Sequence, residues 1–195
     1  MAHEFSVKSD VKWMSEAVAL AEAALRHGEF PVGAVLVAEN EIVGRGARLH
    51  SRQGAANELD HAEILAIRDM SCGDYLSNTS FDTREITAYV TLEPCLMCLG
   101  ALLINGVRRI VFAYEDVMGG ACGICERLTA SSWSHSGNEL DAETRLTKNG
   151  LYGGWSAVGG LMRRESLALF KAFFRSSSSD YLRNTLLERY TLEAR

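Results

Sequence analysis

The chain has 195 residues, 47% of them hydrophobic, and a net charge of −5 from 20 basic and 25 acidic side chains. That is enough apolar content for one sizeable core, which excludes a disordered chain, and the acidic balance argues against a protein that grips long nucleic acid over its whole surface. The N-terminal MAHEFSVKSD lacks a signal-peptide apolar run and no stretch approaches the roughly 18 residues of a membrane span, so the expected location is the cytoplasm, with no membrane association.

Residues 10–27 place Val11, Met14, Val18, Ala21 and Leu25 at helical spacing, with Asp10 as the expected cap and Gly28 as the stop. PVGAVLVA, Glu39-Asn40 and EIVGRGA then read as two strands joined by a tight turn. A loop at 47–59, a helix from 61 to about 70, strand TAYVTL, a helix over 94–105 and strand RRIVFAY follow. Strands with continuous apolar interiors separated by helices predict a layered α/β fold with a partly parallel sheet. Residues 119–150 mix Gly, Ser and charge without periodicity and read as a long loop or insertion. LMRRESLALFKAFFR predicts a helix, SSSS a break, and DYLRNTLLERY a second short helix. Two bodies are expected: a domain over 1–175 and a helical extension over 176–195. Residues 160–195 carry seven basic and four acidic side chains, a local +3 that leaves the remainder at −8. Such a tail suits either phosphate contact or a solvated surface.

The five cysteines are 72, 95, 98, 122 and 125. In a reducing compartment, paired spacings point to metal or redox chemistry rather than disulfides. Pro94 is expected at the first helical position, which puts Cys95 and Cys98 on one face of the first turns, where free N–H groups and the helix dipole favour thiolates. In LDHAEILAIRDM, Asp60 reads as a cap and His61 falls in the first turn, so His61 can meet the two cysteines at one ion. Glu63 has two readings: a capping-box residue bonding back to Asp60, or an acid–base group beside the metal. Cys122 and Cys125 read first as ordinary thiols or part of a loop near the pocket, with a four-thiolate structural zinc or a redox role alongside Cys95 and Cys98 as the further alternative.

His61-Ala62-Glu63 with Pro94-Cys95-Leu96-Met97-Cys98 resembles the H-x-E…P-C-x-x-C signature of the zinc-dependent cytidine deaminase superfamily. EFPVGAVLV at 29–37, YVTLEPC at 89–95 and CLGA at 98–101 narrow the resemblance to the branch of bacterial tRNA adenosine deaminase and guanine deaminase. It implies a three-layer α/β/α sandwich with a central mixed sheet, one catalytic zinc per chain and a homodimer. His61, Cys95 and Cys98 would hold the zinc, and Glu63 would transfer protons in hydrolytic removal of an exocyclic amine. Two thiolates and one imidazole leave a ligand position for water, which four thiolates do not. Glu63 would take the water's proton, deliver one to the ring nitrogen and later protonate the departing amine.

By the same resemblance, the backbone at Gly33 and Ala34 would approach the substrate ring, although a tight core strand explains that glycine equally. The backbone of Leu92, Glu93 and Pro94 would accept the leaving amine's hydrogens; the Glu93 side chain could simply cap its helix. Where the tRNA enzymes carry a Trp-Asn pair, this chain reads Gly46-Ala47-Arg48, the loop LHSRQGAANELD is longer, and Glu115 replaces a common Arg. The expected substrate is therefore a small amino-heterocycle, a nucleobase or nucleoside, with Arg48 as a binding candidate. The alternative partner is tRNA, deaminated from adenosine to inosine.

Overall fold

The computed structural model describes residues 7–52, 57–72, 85–123, 154–176 and 179–194. Five strands form one sheet in the order β2-β1-β3-β4-β5. They are β1 (Gly33–Ala38), β2 (Glu41–Ala47), β3 (Ile86–Leu92), β4 (Val107–Tyr114) and β5 (Ser156–Gly159). β1 pairs antiparallel with β2 and β3, whereas β3, β4 and β5 run parallel, so the sheet is mixed as expected.

Strand geometry sends alternate residues to opposite faces, and here both faces are buried. Ala34, Leu36, Ala88 and Val90 enter one apolar cluster with helices α2 (Ala62–Cys72) and α3 (Leu96–Ile104). Val35, Val37, Tyr89 and Val111 enter another, against Trp13, Met14, Ala17 and Val18 of helix α1 (Val7–Arg26). This produces the three α/β/α layers. Helix α4 (Arg163–Arg175) sends Phe170, Phe173 and Phe174 into the first cluster, and helix α5 (Leu186–Glu193) adds Leu187 to it. The extension thus shares the main core.

The hairpin turn is the two-residue kind that the sequence announces. Glu39 and Asn40 both take positive φ, 51° and 63°, the backbone whose twist matches its flanking strands. Two glycines then bring helices onto the sheet. A Cβ on Gly46 would lie 2.0 Å from the Ala62 carbonyl oxygen, so α2 packs its first turn directly on β2. A Cβ on Gly33 would lie 2.1 Å from the Ala17 carbonyl oxygen of α1. Gly33 therefore serves helix packing, the core-strand reading of that position.

Several local expectations are corrected. Asp10 lies inside α1, and its carboxylate instead accepts Arg109 at 2.9 and 2.7 Å and the Tyr89 hydroxyl at 2.7 Å. Burial alone would raise the Asp10 pKa, but these hydrogen bonds win and hold it below its ordinary value. The helix expected from Pro94 starts at Leu96, because Cys95 is extended at φ −70° and ψ 170° and forms a bridge with Gly120. β5 is a strand with no sequence signal: four exposed residues are too few to show a period. The second C-terminal helix begins only after Thr185, whose side chain accepts the Glu188 N–H at 3.3 Å. Of the stretch 119–150, residues 124–150 lie outside the described residues.

Candidate active site

Gly46 seats the start of α2 beside the carboxyl end of β3, where the chain continues through Glu93 and Pro94 into α3. Two helix N-termini consequently face each other at the carboxyl ends of parallel strands, a usual place for ligand sites in α/β sheets. His61 stands just before α2 and Cys95 just before α3, with Cys98 in the first turn of α3. The His61 Nδ1 lies 3.7 Å from Cys95 Sγ and 3.4 Å from Cys98 Sγ. Tetrahedral zinc with bonds of about 2.3 Å to sulfur and 2.0–2.1 Å to nitrogen separates such atoms by about 3.5 Å. The spacing fits that ion.

One of the two thiols is biased toward the ligating thiolate. A hydrogen bond from Cys98, opposed by burial and aided by His61, pulls the Cys95 thiol down to about 4. The same bond, with burial, pushes Cys98 upward, and ligation by this sulfur would require loss of its proton. His61 is shifted up by its contact with Cys95.

Glu63 is 3% exposed, and burial raises its pKa above the ordinary carboxylate value. The capping-box reading fails on the donor: the Asp60 N–H bonds to the Asn57 carbonyl at 3.3 Å. Asp60 itself gathers His50, Asn57 and Arg68 side chains rather than capping α2.

Glu63, His61, Cys95, Arg48, Leu92 and Glu93 line one cavity of about 200 Å³. This is smaller than the roughly 300–1,000 Å³ of sites for drug-sized ligands, and suits a single ring better than a whole nucleotide. Gly33, Ala34 and Pro94 do not line it. The Pro94 carbonyl accepts the Ala121 N–H at 3.0 Å, and Ala34 is fully buried in the core. The Glu93 carboxylate does not cap α3. It accepts the N–H groups of Cys122 at 3.1 Å and Asp116 at 3.3 Å, pinning the chain after β4 against the site.

Arg48 is 2% exposed and therefore not a solvated loop charge. Its guanidinium donates to the carbonyls of Leu49 and Asn57, to Glu58 and to the Tyr181 hydroxyl. Glu58, Tyr181, Leu182 and Leu187 also line the cavity, and the sequence pointed to none of them. The Tyr181 contacts span more than a hundred residues of chain, so no local pattern could announce them. Cys122 packs in the apolar core; among the described residues the metal-ligand group is His61, Cys95 and Cys98 alone. Cys125 lies outside the described residues, and a four-thiolate site would require Cys122 to leave its core position.

The fold and the three ligands with a buried carboxyl define a zinc-dependent deaminase. Residues 7–114 match the family described as cytidine and deoxycytidylate deaminase zinc-binding region, and the chain belongs to that family. Its relatives include the tRNA-specific adenosine deaminase of Bacillus subtilis, 32% identical over 85% of this chain and 89% of the relative. The tRNA-specific adenosine deaminase 2 of Xenopus tropicalis is 27% identical over 91% and 95%. A solved structure from work on A-to-I editing by tRNA:A34 deaminases at the wobble position superposes with TM-score 0.55 at 26% identity, covering 81% of this chain and 98% of that one. A protein solved with 8-azaguanine shares the fold at TM-score 0.58 and 20% identity, over 84% and 83%. No helix among the described residues is long and apolar enough to cross a membrane.

Proposed function

We propose that the chain is a tRNA-specific adenosine deaminase, converting adenosine to inosine with release of ammonia in the cytoplasm. The observation that carries this reading is the extent of the match: relatives of that activity align over 85% or more of this chain and of their own length. In this reading a flipped base fills the small cavity, since an enzyme must unstack a base to reach its exocyclic amine. His61, Cys95 and Cys98 would hold the zinc, which would supply Lewis acidity toward a water. Glu63 would take a proton from the attacking water, pass one to the ring nitrogen and protonate the leaving amine, and its burial keeps these transfers out of bulk solvent. The main-chain carbonyls at the end of β3 accept from the amine, and the buried Arg48 orients the cavity wall. A homodimer belongs to the same reading, with the exposed Leu96, Met97 and Ile104 of α3 as its apolar surface.

A second reading has one observation in its favour. The C-terminal residues Tyr181, Leu182 and Leu187 roof the cavity, a shape that suits a free base or nucleoside. Ammonia release by zinc-loaded protein decides between them, measured on an anticodon stem-loop and on free adenine, guanine, cytosine and their nucleosides, with Glu63→Ala as the blank. Turnover confined to the stem-loop, weakening steeply with salt, supports tRNA editing; turnover of a free heterocycle alone would replace it with the second reading.

A further inference from the structure

We infer that Glu58 is a positioning residue for the metal ligand His61, and that Arg48 and the C-terminal Tyr181 hold it in that role. The inference rests on zinc being bound by His61, Cys95 and Cys98, and not on which base is deaminated. His61 turns Nδ1 toward both sulfurs, at 3.7 and 3.4 Å. A neutral imidazole that ligates through Nδ1 must carry its proton on Nε2, and an acceptor for that proton fixes both tautomer and ring orientation. The carboxylate facing Nε2 is Glu58, with Oε2 at 3.6 Å, three residues upstream. That separation is ion-pair range, a few tenths of an ångström beyond a hydrogen bond.

What holds Glu58 there is not packing, because its side chain is 62% exposed. The same Oε2 accepts Arg48 Nη2 at 3.1 Å and the Tyr181 hydroxyl at 2.9 Å. Arg48 is itself immobilised: Nη1 donates to the carbonyls of Leu49 at 2.9 Å and Asn57 at 2.8 Å, and Nη2 lies 3.2 Å from the Tyr181 oxygen. Tyr181 is anchored in turn by its ring, 5.5 Å from that of Phe30. A glutamate that would otherwise sample many rotamers is aimed at the one imidazole nitrogen the metal leaves free. The departure of this chain at Arg48 thereby acquires a purpose: it links the C-terminal segment to the zinc ligand.

The competing account is that Glu58 merely neutralises Arg48, as exposed ion pairs often do with little effect. Metal affinity separates the two. Competition of the full-length protein with a chromophoric chelator would give the zinc Kd of wild type, Glu58→Ala, Glu58→Gln and Tyr181→Phe, each checked for folding by circular dichroism. Loss of such an outer partner costs about 10–100-fold in metal affinity, and that loss is expected for Glu58→Ala. Glu58→Gln keeps an acceptor oxygen and should recover most of it, with Tyr181→Phe losing less in the same direction. A folded Glu58→Ala protein that binds zinc as tightly as wild type overturns the role. A wild-type chain that binds no zinc would instead bring down the metal assignment beneath it.

Discussion

The floor and the roof of the cavity are built differently. The floor is two short segments, 61–63 and 95–98, each at a helix N-terminus, whose side chains reach one another because α2 and α3 begin side by side at the carboxyl end of β3. The roof is Tyr181, Leu182 and Leu187, held over the site by contacts of Tyr181 to Arg48, Glu58 and Phe30, each more than a hundred residues away in the chain. The floor concentrates the candidate metal ligands and the buried Glu63 carboxyl in a few residues; the roof spreads its hold over aromatic packing and several hydrogen bonds. Damage to the floor should abolish turnover with little loss of stability, whereas damage to the aromatic packing under the roof should cost stability first.

The largest expected effect is on the floor. Glu63→Ala should retain zinc and lose about 10²–10⁴ in turnover, the usual worth of acid–base help, as read by metal analysis beside ammonia release. Activity surviving in the metal-loaded variant would end the assignment. The roof's foundation comes next. Phe170 is 1% exposed, with its ring 5.2 Å from Phe30 and 5.5 Å from Tyr114, so Phe170→Ala should cost about 3–5 kcal/mol in denaturant unfolding. A cost below about 1 kcal/mol would mean that the aromatic cluster does not support the roof.

A smaller effect appears on titration. Burial would raise the Glu115 pKa, but hydrogen bonds from Arg163 and the Tyr190 hydroxyl hold it at about 2 against an ordinary 4.5. A depressed folded-state pKa gives stability that is present above pH 4.5 and lost as pH falls toward 2. Glu115→Gln should flatten stability across that window while leaving zinc content unchanged; an unaltered pH profile would remove this tie between β4, α4 and α5 from the account of the roof. The smallest change is Thr185→Ala. It removes the cap of α5 and should cost about 0.5–2 kcal/mol, measured as a shift in thermal midpoint without a change in zinc affinity.

The legibility of the two regions in the sequence follows their construction. The central strands were readable because they are continuous apolar runs buried on both faces, α1 to α3 because their burial follows a helical period, and the hairpin because Glu39-Asn40 suits a two-residue turn. β5 was not, being short and exposed, and neither was the true start of α3, where a bridge to Gly120 holds Cys95 extended. Asp10 looked like a cap because capping residues are recognised by local spacing, whereas its partners Arg109 and Tyr89 lie on other elements.

By itself the sequence determined the chemistry: His61, Glu63, Cys95 and Cys98 at spacings that place donors on two helix starts, within a layered α/β chain. Only the tertiary structure decided what surrounds that chemistry. It packed Gly33 against α1 and buried Ala34 in the core, turned the Glu93 side chain onto the Asp116 and Cys122 amides, buried Arg48, and brought Glu58 and Tyr181 to the site. The physical reason is range. Ligand spacing is written within one or two turns of helix, whereas a cavity wall forms only when apolar faces far apart in the chain are removed from water together.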